Sequence, residues 1–165
     1  MPPIQGINSQ NVITVPEILN MAVTINGGNI VVLGGGSSGC EIALDLSNKG
    51  CSVTIVEQLP RIGSQIEAAT KKMIIKGLKE NRVKILTEHT LKEITDDRVY
   101  VADKNNNQFS IEFDKLVVST GNIPDNKLYN DLKNKGIEVY LLGDCIQARG
   151  AKEAIYEAAV ISNKI

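Results

Sequence analysis

The 165-residue chain has no tryptophan, a single histidine and only three cysteines. The cysteines, Cys40, Cys51 and Cys145, form no C-x-x-C pair and lack the spacing of metal ligands. Zinc sites and disulfide scaffolds normally require such patterns, so we predict neither. We expect each cysteine to be a small, buried, unreactive residue, and we identify no metal ligand and no catalytic side chain.

An excess of charge of one sign is also lacking, because 18 basic and 19 acidic residues give a formal charge of −1. Binding to nucleic acid or to an anionic membrane usually needs a basic surface, so neither partner is predicted. No segment approaches the roughly 20 consecutive apolar residues of a membrane span, and the N-terminal residues do not resemble a signal peptide. We therefore expect a cytoplasmic location.

What the sequence does contain is a strand, glycine turn, helix, strand pattern. Residues 29–33 form an apolar run typical of a strand buried on both faces of a parallel sheet. A glycine-rich turn follows, and residues 40–49 carry apolar side chains at helical spacing. Residues 52–57 are short and β-branched, which predicts a second strand. The pattern is that of a βαβ unit.

Beyond this unit, some segments have apolar residues at the spacing of a helix and others have them at every second residue, as in a strand. A period of two between residues 91 and 113 predicts an antiparallel hairpin or small meander. The fold class is therefore α/β: a Rossmann-like parallel sheet with βαβ units and an antiparallel β-meander. The other predicted segments are a connector at 1–28 with a short helix at 16–22, a helix at 65–81, strands at 83–86 and 116–120, an irregular stretch at 125–136, an apolar run at 139–142, and a helix at 151–165.

The turn carries Gly34, Gly36 and Gly39 in the pattern G-x-G-x-x-G. Because it follows a predicted strand and opens a predicted helix, it matches a dinucleotide-binding turn. Gly34 would permit the tight turn, Gly36 would let the backbone approach a pyrophosphate, and Gly39 would let the helix pack on the strand. The amides of Ser37, Ser38 and Gly39 would face the phosphates at the positive end of the helix dipole.

Glu57 ends the second predicted strand, near the offset at which an acidic residue accepts hydrogen bonds from the adenosine ribose. A carboxylate there would repel a 2′-phosphate, so we predict that NADH binds more tightly than NADPH by roughly ten- to a hundredfold. Arg61 leaves alternatives open, because an arginine could hold a 2′-phosphate or a pyrophosphate, or pair with Glu57. Glu41, early in the helix, would complement the helix dipole whether or not a ligand binds.

The order of the motifs resembles the two-dinucleotide-binding flavoproteins that use pyridine nucleotides. The motifs are the segments 31–43, 53–57, 119–124 (Ser-Thr-Gly-Asn-Ile-Pro) and 143–145 (Gly-Asp-Cys). Gly-Asp-Cys is most similar to the NADH:flavin oxidoreductase branch, which includes dienoyl-CoA reductase and 2-enoate reductase. The resemblance implies an FAD-dependent parent that passes a hydride from NADH to flavin.

The resemblance also implies a domain organisation and three further site residues. Residues 23–120 would be the NAD(H)-binding domain, while 1–22 and 121–165 would be flanking segments of an FAD-binding domain. Asp144 would contact the FAD, Gly121 would lie near the dinucleotides, and Glu41 would lie near the nicotinamide. Such flavoproteins have an earlier G-x-G-x-x-G that holds the FAD phosphates, and this motif is absent here, as are their catalytic domains. The expected partners of this chain are therefore a dinucleotide cofactor and the FAD-binding and catalytic domains of the parent.

Two other functions remain open. The parent could be a disulfide reductase of the same superfamily, although this segment contains no redox cysteine pair. Alternatively the chain could be a free-standing nucleotide-binding module without turnover of its own.

Overall fold

The computed structural model describes residues 1–163. Their strands and helices, in chain order, are β1 (Val12–Thr14), α1 (Val15–Leu19), β2 (Asn29–Leu33), α2 (Ser37–Asn48), β3 (Ser52–Val56), α3 (Ala68–Glu80), β4 (Lys84–Leu86), β5 (His89–Ile94), β6 (Arg98–Asp103), β7 (Gln108–Glu112), β8 (Lys115–Val118), α4 (Lys127–Lys133), a 3-10 helix (Gly143–Cys145) and α5 (Ala151–Ser162). The chain divides at Thr120 into two compact units.

The first unit contains a five-stranded parallel sheet in the order β1-β8-β2-β3-β4. Strand β2 lies at its centre, and four of its five residues are buried. The neighbours of β2 are β3, which follows it in the chain, and β8, which lies on its other side. The carboxyl ends of these strands therefore lie side by side, which is where ligands bind in open parallel sheets.

Both faces of the sheet are covered. On one face, Ile30 and Val32 of β2 pack in a buried cluster with Leu46 of α2 and Leu78 of α3. The opposite face packs on a three-stranded antiparallel sheet in the order β5-β6-β7, in a cluster that includes Val101. Burial on both faces explains why β2 and β8 are continuous apolar runs. The predicted Rossmann-like sheet and meander are confirmed.

The predicted connector at residues 1–28 is wrong in one respect, because it contains a strand of the main sheet. Val12, Ile13 and Thr14 pair in parallel with Leu116, Val117 and Val118, and Ile13 is buried. Three residues are too few to show a period, so only the tertiary pairing identifies β1. The predicted helix at 16–22 is the shorter α1, whose start is held by the side chain of Glu17 on the amide and hydroxyl of Thr14.

In the second unit, the stretch predicted to be irregular contains helix α4. The apolar run at 139–142 forms no strand within the described part of the chain, since no neighbouring strand pairs with it. The last predicted helix is α5, and the final two residues of the prediction, 164 and 165, lie outside the described residues. The boundaries of the NAD(H)-binding domain at 23 and 120, and the assignment of the flanks to an FAD-binding domain, stay predictions.

Candidate dinucleotide-binding site

The turn between β2 and α2 needs its glycines for different physical reasons. Gly34 has a φ of +106°, and a Cβ atom there would lie 2.2 Å from the carbonyl oxygen of Ser119. A Cβ atom on Gly39 would lie 2.0 Å from the carbonyl oxygen of Gly34. These two glycines are therefore required by the fold itself, because any side chain would collide with backbone.

Gly36 differs, since a Cβ atom there would meet nothing within 4 Å. It is the N-cap of the 12-residue helix α2 and offers no side-chain cap for the first turn. The amides of Ser37, Ser38 and Gly39, the first residues of this helix, have no acceptor within it. Open space in front of uncapped amides at the positive end of a helix dipole suits a phosphate group.

Glu57 follows β3 directly and is the one buried charged residue among those described, with 8% of its surface exposed. Its Oε2 atom accepts a hydrogen bond from the amide of Gly35 at 2.6 Å, and its Oε1 atom accepts one from the amide of Leu59 at 2.7 Å. A carboxylate has about four lone-pair sites, so each oxygen can still accept a further hydrogen bond. The carboxylate therefore lies beside the turn with acceptor capacity to spare.

The peptide group of Gly35 connects the turn to the loop that follows β3. Its carbonyl oxygen accepts hydrogen bonds from the amide of Gly63 at 2.7 Å and from the thiol of Cys40 at 3.3 Å. A Cβ atom on Gly35 would lie 2.5 Å from a methyl carbon of Ile62. Both polar groups of the Gly35 backbone are therefore hydrogen-bonded, the amide to the Glu57 carboxylate and the carbonyl to the Gly63 amide.

The prediction for the cysteines is confirmed for two of the three. Cys40 and Cys51 are buried, and burial raises the pKa of the Cys40 thiol to about 11. Cys40 is therefore a neutral thiol at ordinary pH, which suppresses thiolate chemistry. For Cys145 the prediction is wrong, because it is exposed in the 3-10 helix; the pattern of a single cysteine in a short polar motif carries no signal of burial.

Glu41, in α2, and Arg61, in the loop that follows β3, are both exposed. The hydroxyl of Ser37 donates a hydrogen bond to Glu41 at 3.2 Å, and Glu41 lines a largely apolar groove of about 520 Å³ between α1 and α2. Arg61 forms no ion pair within 4.0 Å among the described residues, so its pairing with Glu57, one of the alternatives, is not observed.

The other two predicted residues belong to the second unit. Gly121, its first residue, is exposed with a φ of +93°. Asp144 is exposed in the 3-10 helix, and its Oδ1 atom accepts a hydrogen bond from the amide of Arg149 at 3.2 Å. Glu157 accepts one from the amide of Gly143 at 2.7 Å, and both this bond and its contact with Arg149 lower the pKa of Glu157.

The fold of the first unit thus brings together seven of the nine predicted site residues: Gly34, Gly36, Ser37, Ser38, Gly39, Glu41 and Glu57. Sequence reasoning missed the amides of Gly35 and Leu59, and the bond from Gly63. Backbone donors cannot be identified from a side-chain pattern. The glycine at position 35 was nevertheless a usable signal, because a glycine between Gly34 and Gly36 indicates that there is no room for a side chain at that position.

Other kinds of site are not observed in the described residues. Within residues 1–163, no cluster of three or more histidine, cysteine or acidic side chains is arranged to hold a metal ion. No helix in the same range has the length and apolarity required to cross a bilayer.

The fold is that of a Rossmann-like α/β domain, and its glycine turn has the arrangement of a dinucleotide-binding turn. The glycine turn and the one buried carboxylate of the described residues, Glu57, lie together at the carboxyl edge of the sheet. The chain belongs to the pyridine nucleotide-disulphide oxidoreductase family, whose family model matches residues 1–159. Members of this family are FAD-dependent and use NAD(H).

Individual relatives are larger oxidoreductases. The chain is 28% identical over 164 residues to the bilirubin reductase of Mediterraneibacter gnavus, covering 99% of this chain and 25% of the relative. It is 34% identical over 116 residues to the NADH oxidase of Thermoanaerobacter brockii, covering 70% of this chain and 18% of the relative. The solved structure of a 2-naphthoyl-CoA reductase with 2-naphthoyl-CoA superposes with a TM-score of 0.85 at 29% identity, over 94% of this chain and 24% of that one.

The chain spans between 18% and 25% of the length of these relatives. It is therefore an oxidoreductase domain of the kind found in larger flavoproteins, with a Rossmann-like fold.

Proposed function

We propose that this chain is the NADH-binding portion of an FAD-dependent oxidoreductase in which a hydride passes from NADH to flavin. The observation that carries the proposal is the open space at Gly36, which lies before the uncapped amides of α2 and beside the buried carboxylate of Glu57. Phosphate and ribose are the two groups that this combination recognises.

The residues of this chain bind and orient the nucleotide. The amides of Ser37, Ser38 and Gly39 donate hydrogen bonds to the pyrophosphate, and Glu57 accepts hydrogen bonds from the adenosine ribose. Glu41 lies in the second turn of α2, close to these amides, and is exposed, so in this proposal it lies near the nicotinamide half of the nucleotide. When NADH is bound, its nicotinamide would supply the hydride, and the residues of this chain would hold the nucleotide in the position from which the hydride is transferred.

We further propose that the parent belongs to the NADH:flavin oxidoreductase branch of the family. The similarity to an NADH oxidase and to reductases of organic substrates supports this branch. In this proposal Asp144 contacts the FAD, Gly121 lies near the dinucleotides, and the turn that binds the FAD phosphates lies elsewhere in the parent.

A disulfide reductase is the second candidate, because the family as a whole is described by that activity. The residues of this chain do not favour it. Cys40, Cys51 and Cys145 are all free thiols, and Cys40 and Cys51 are buried, so no redox pair is formed among the described residues. A disulfide reductase would need a cysteine pair from another part of the parent.

The test is nucleotide binding by the purified chain and by Gly36→Val. Wild type should bind NADH and ADP-ribose in a calorimetric titration. The valine side chain fills the open space in front of the helix, so affinity should fall roughly tenfold or more, the equivalent of about 1.4 kcal/mol. Folding should be preserved, because a Cβ atom at Gly36 meets nothing within 4 Å and its φ is −69°.

Ser52→Val is the matched control. It introduces the same valine side chain at an exposed position on β3, next to Asn29 at the amino ends of the strands and therefore at the opposite edge of the sheet. Its affinity should equal that of wild type. Failure of wild type to bind any of these nucleotides would refute the proposed function. Unchanged affinity in a folded Gly36→Val variant would refute the phosphate assignment.

A further inference from the structure

Glu57 is anchored at every polar group it possesses. Its amide donates to the carbonyl of Leu86 at 2.8 Å, and its carbonyl accepts from the amide of His89 at 3.0 Å. Its two carboxylate oxygens accept from the amides of Gly35 and Leu59 at 2.6 and 2.7 Å. No part of this residue depends on a flexible side-chain partner.

The carboxylate also has little room to turn. The residue is 8% exposed, and Ile62 packs so closely over Gly35 that a Cβ atom there would lie 2.5 Å from Ile62 and 3.3 Å from the Cβ of Glu57. Rotation toward water would leave the amide of Gly35, which is buried, without an acceptor. A buried donor that loses its partner carries the full cost of its desolvation.

We propose that the backbone clamp formed by the Gly35 and Leu59 amides holds Glu57 fixed and so makes the ribose subsite reject a 2′-phosphate. This inference rests on the proposed function, because it concerns the same nucleotide site. An unclamped glutamate would swing away from a 2′-phosphate and relieve most of the repulsion. The clamped carboxylate stays in place, so discrimination should exceed the roughly hundredfold upper value that the sequence predicts for a side chain free to turn into water.

The clamp makes Leu59 a positioning residue that acts through its backbone N–H and not through its side chain. The side chain of Leu59 is largely exposed. The Leu59→Pro substitution deletes the N–H while leaving Glu57 in the sequence. With one oxygen released, the carboxylate gains freedom to rotate, and the penalty on a 2′-phosphate should fall.

The experiment compares ADP-ribose with 2′-phospho-ADP-ribose in titrations of the purified chain. These probes contain the adenosine, ribose and pyrophosphate groups but no nicotinamide, so no flavin is needed. Wild type should prefer ADP-ribose by more than a hundredfold. Leu59→Pro should narrow this ratio by roughly tenfold or more, chiefly by binding the 2′-phosphate form more tightly. Leu59→Ala keeps the N–H, and its ratio should follow that of wild type.

Glu57→Asp provides a second variant if Leu59→Pro does not fold. The shorter side chain keeps the charge but cannot reach both amides, so the ratio should again narrow. A general loss of structure would weaken both probes together and leave their ratio unchanged, which distinguishes positioning from folding.

Three outcomes would overturn the inference. A wild-type ratio near one, or a preference for the 2′-phosphate form through Arg61, would show that Glu57 does not discriminate. Unchanged ratios in folded Leu59→Pro and Glu57→Asp variants would show that the clamp is irrelevant. Absence of binding by wild type to either probe would refute the proposed function itself, and the inference with it.

Discussion

Replacement of Glu57 by glutamine tests the contacts of the site without any ligand. Glutamine has one acceptor oxygen in place of two, so one of the amides of Gly35 and Leu59 must face an NH2 group instead of an acceptor. A hydrogen bond to a charged group contributes about 1.5–3 kcal/mol, and an unsatisfied buried donor costs about 1–3 kcal/mol. Because the two effects overlap, we expect a loss of about 2–4 kcal/mol in the free energy of unfolding.

The measurement is urea unfolding followed by far-ultraviolet circular dichroism at neutral pH. A loss of this size corresponds to a fall in Tm of about 5–15 °C for a chain of this length. Glu41→Gln is the matched control, since Glu41 is exposed and its one side-chain hydrogen bond, from Ser37, is 3.2 Å long. Its stability should stay within about 0.5 kcal/mol of wild type. A Glu57→Gln variant as stable as this control would refute the buried clamp.

Three further predictions concern the flavin and the cysteines. The purified chain should not retain stoichiometric FAD, because its one G-x-G-x-x-G turn is assigned to NADH and no second turn is present to bind the FAD phosphates. For the same reason it should show no NADH oxidase activity without added flavin. Flavin absorbance that survives gel filtration would contradict this prediction. A thiol reagent should modify one cysteine, Cys145, in the native chain and all three after unfolding, and rapid native labelling of Cys40 or Cys51 would contradict the burial of these residues. The free energy of unfolding should fall between about pH 9 and pH 11, because the Cys40 thiol, with its pKa raised to about 11, stays protonated in the folded chain while the same thiol ionises in the unfolded chain. The fall should be at most about 3 kcal/mol. The Cys40→Ala variant should not show it.

The sequence predicted those helices and strands in which the pattern of apolar residues extends over enough residues to be recognised. Strands β2 and β3, helix α2 and the meander were found at or near their observed bounds, because buried runs and alternation persist there for five or more residues. Strand β1 and helix α4 escaped for the opposite reason. They have three and seven residues, and β1 is defined by its pairing with β8, about 100 residues away in the chain.

The same distinction applies to the site. The roles of Gly34 and Gly39 were predictable, since a G-x-G-x-x-G turn after a strand has known steric requirements, and both are confirmed as positions where a Cβ atom would collide with backbone. The clamp on Glu57 was not predictable. Its donors are main-chain amides, which every residue except proline possesses, so only the folded geometry shows which of them reach the carboxylate.

The two tasks assigned to Glu57 affect how its substitution should be interpreted. Glu57→Ala would remove the proposed ribose acceptor, but it would also release the amides of Gly35 and Leu59. The Gly35 peptide precedes Gly36 and the first turn of α2, so its release would disturb the proposed phosphate site as well as the ribose site. A loss of NADH binding in that variant would therefore not separate recognition from positioning. Only a ratio between two ligands that share the phosphates and differ at the 2′ position isolates the discrimination, because a disturbance of the phosphate site affects both ligands alike.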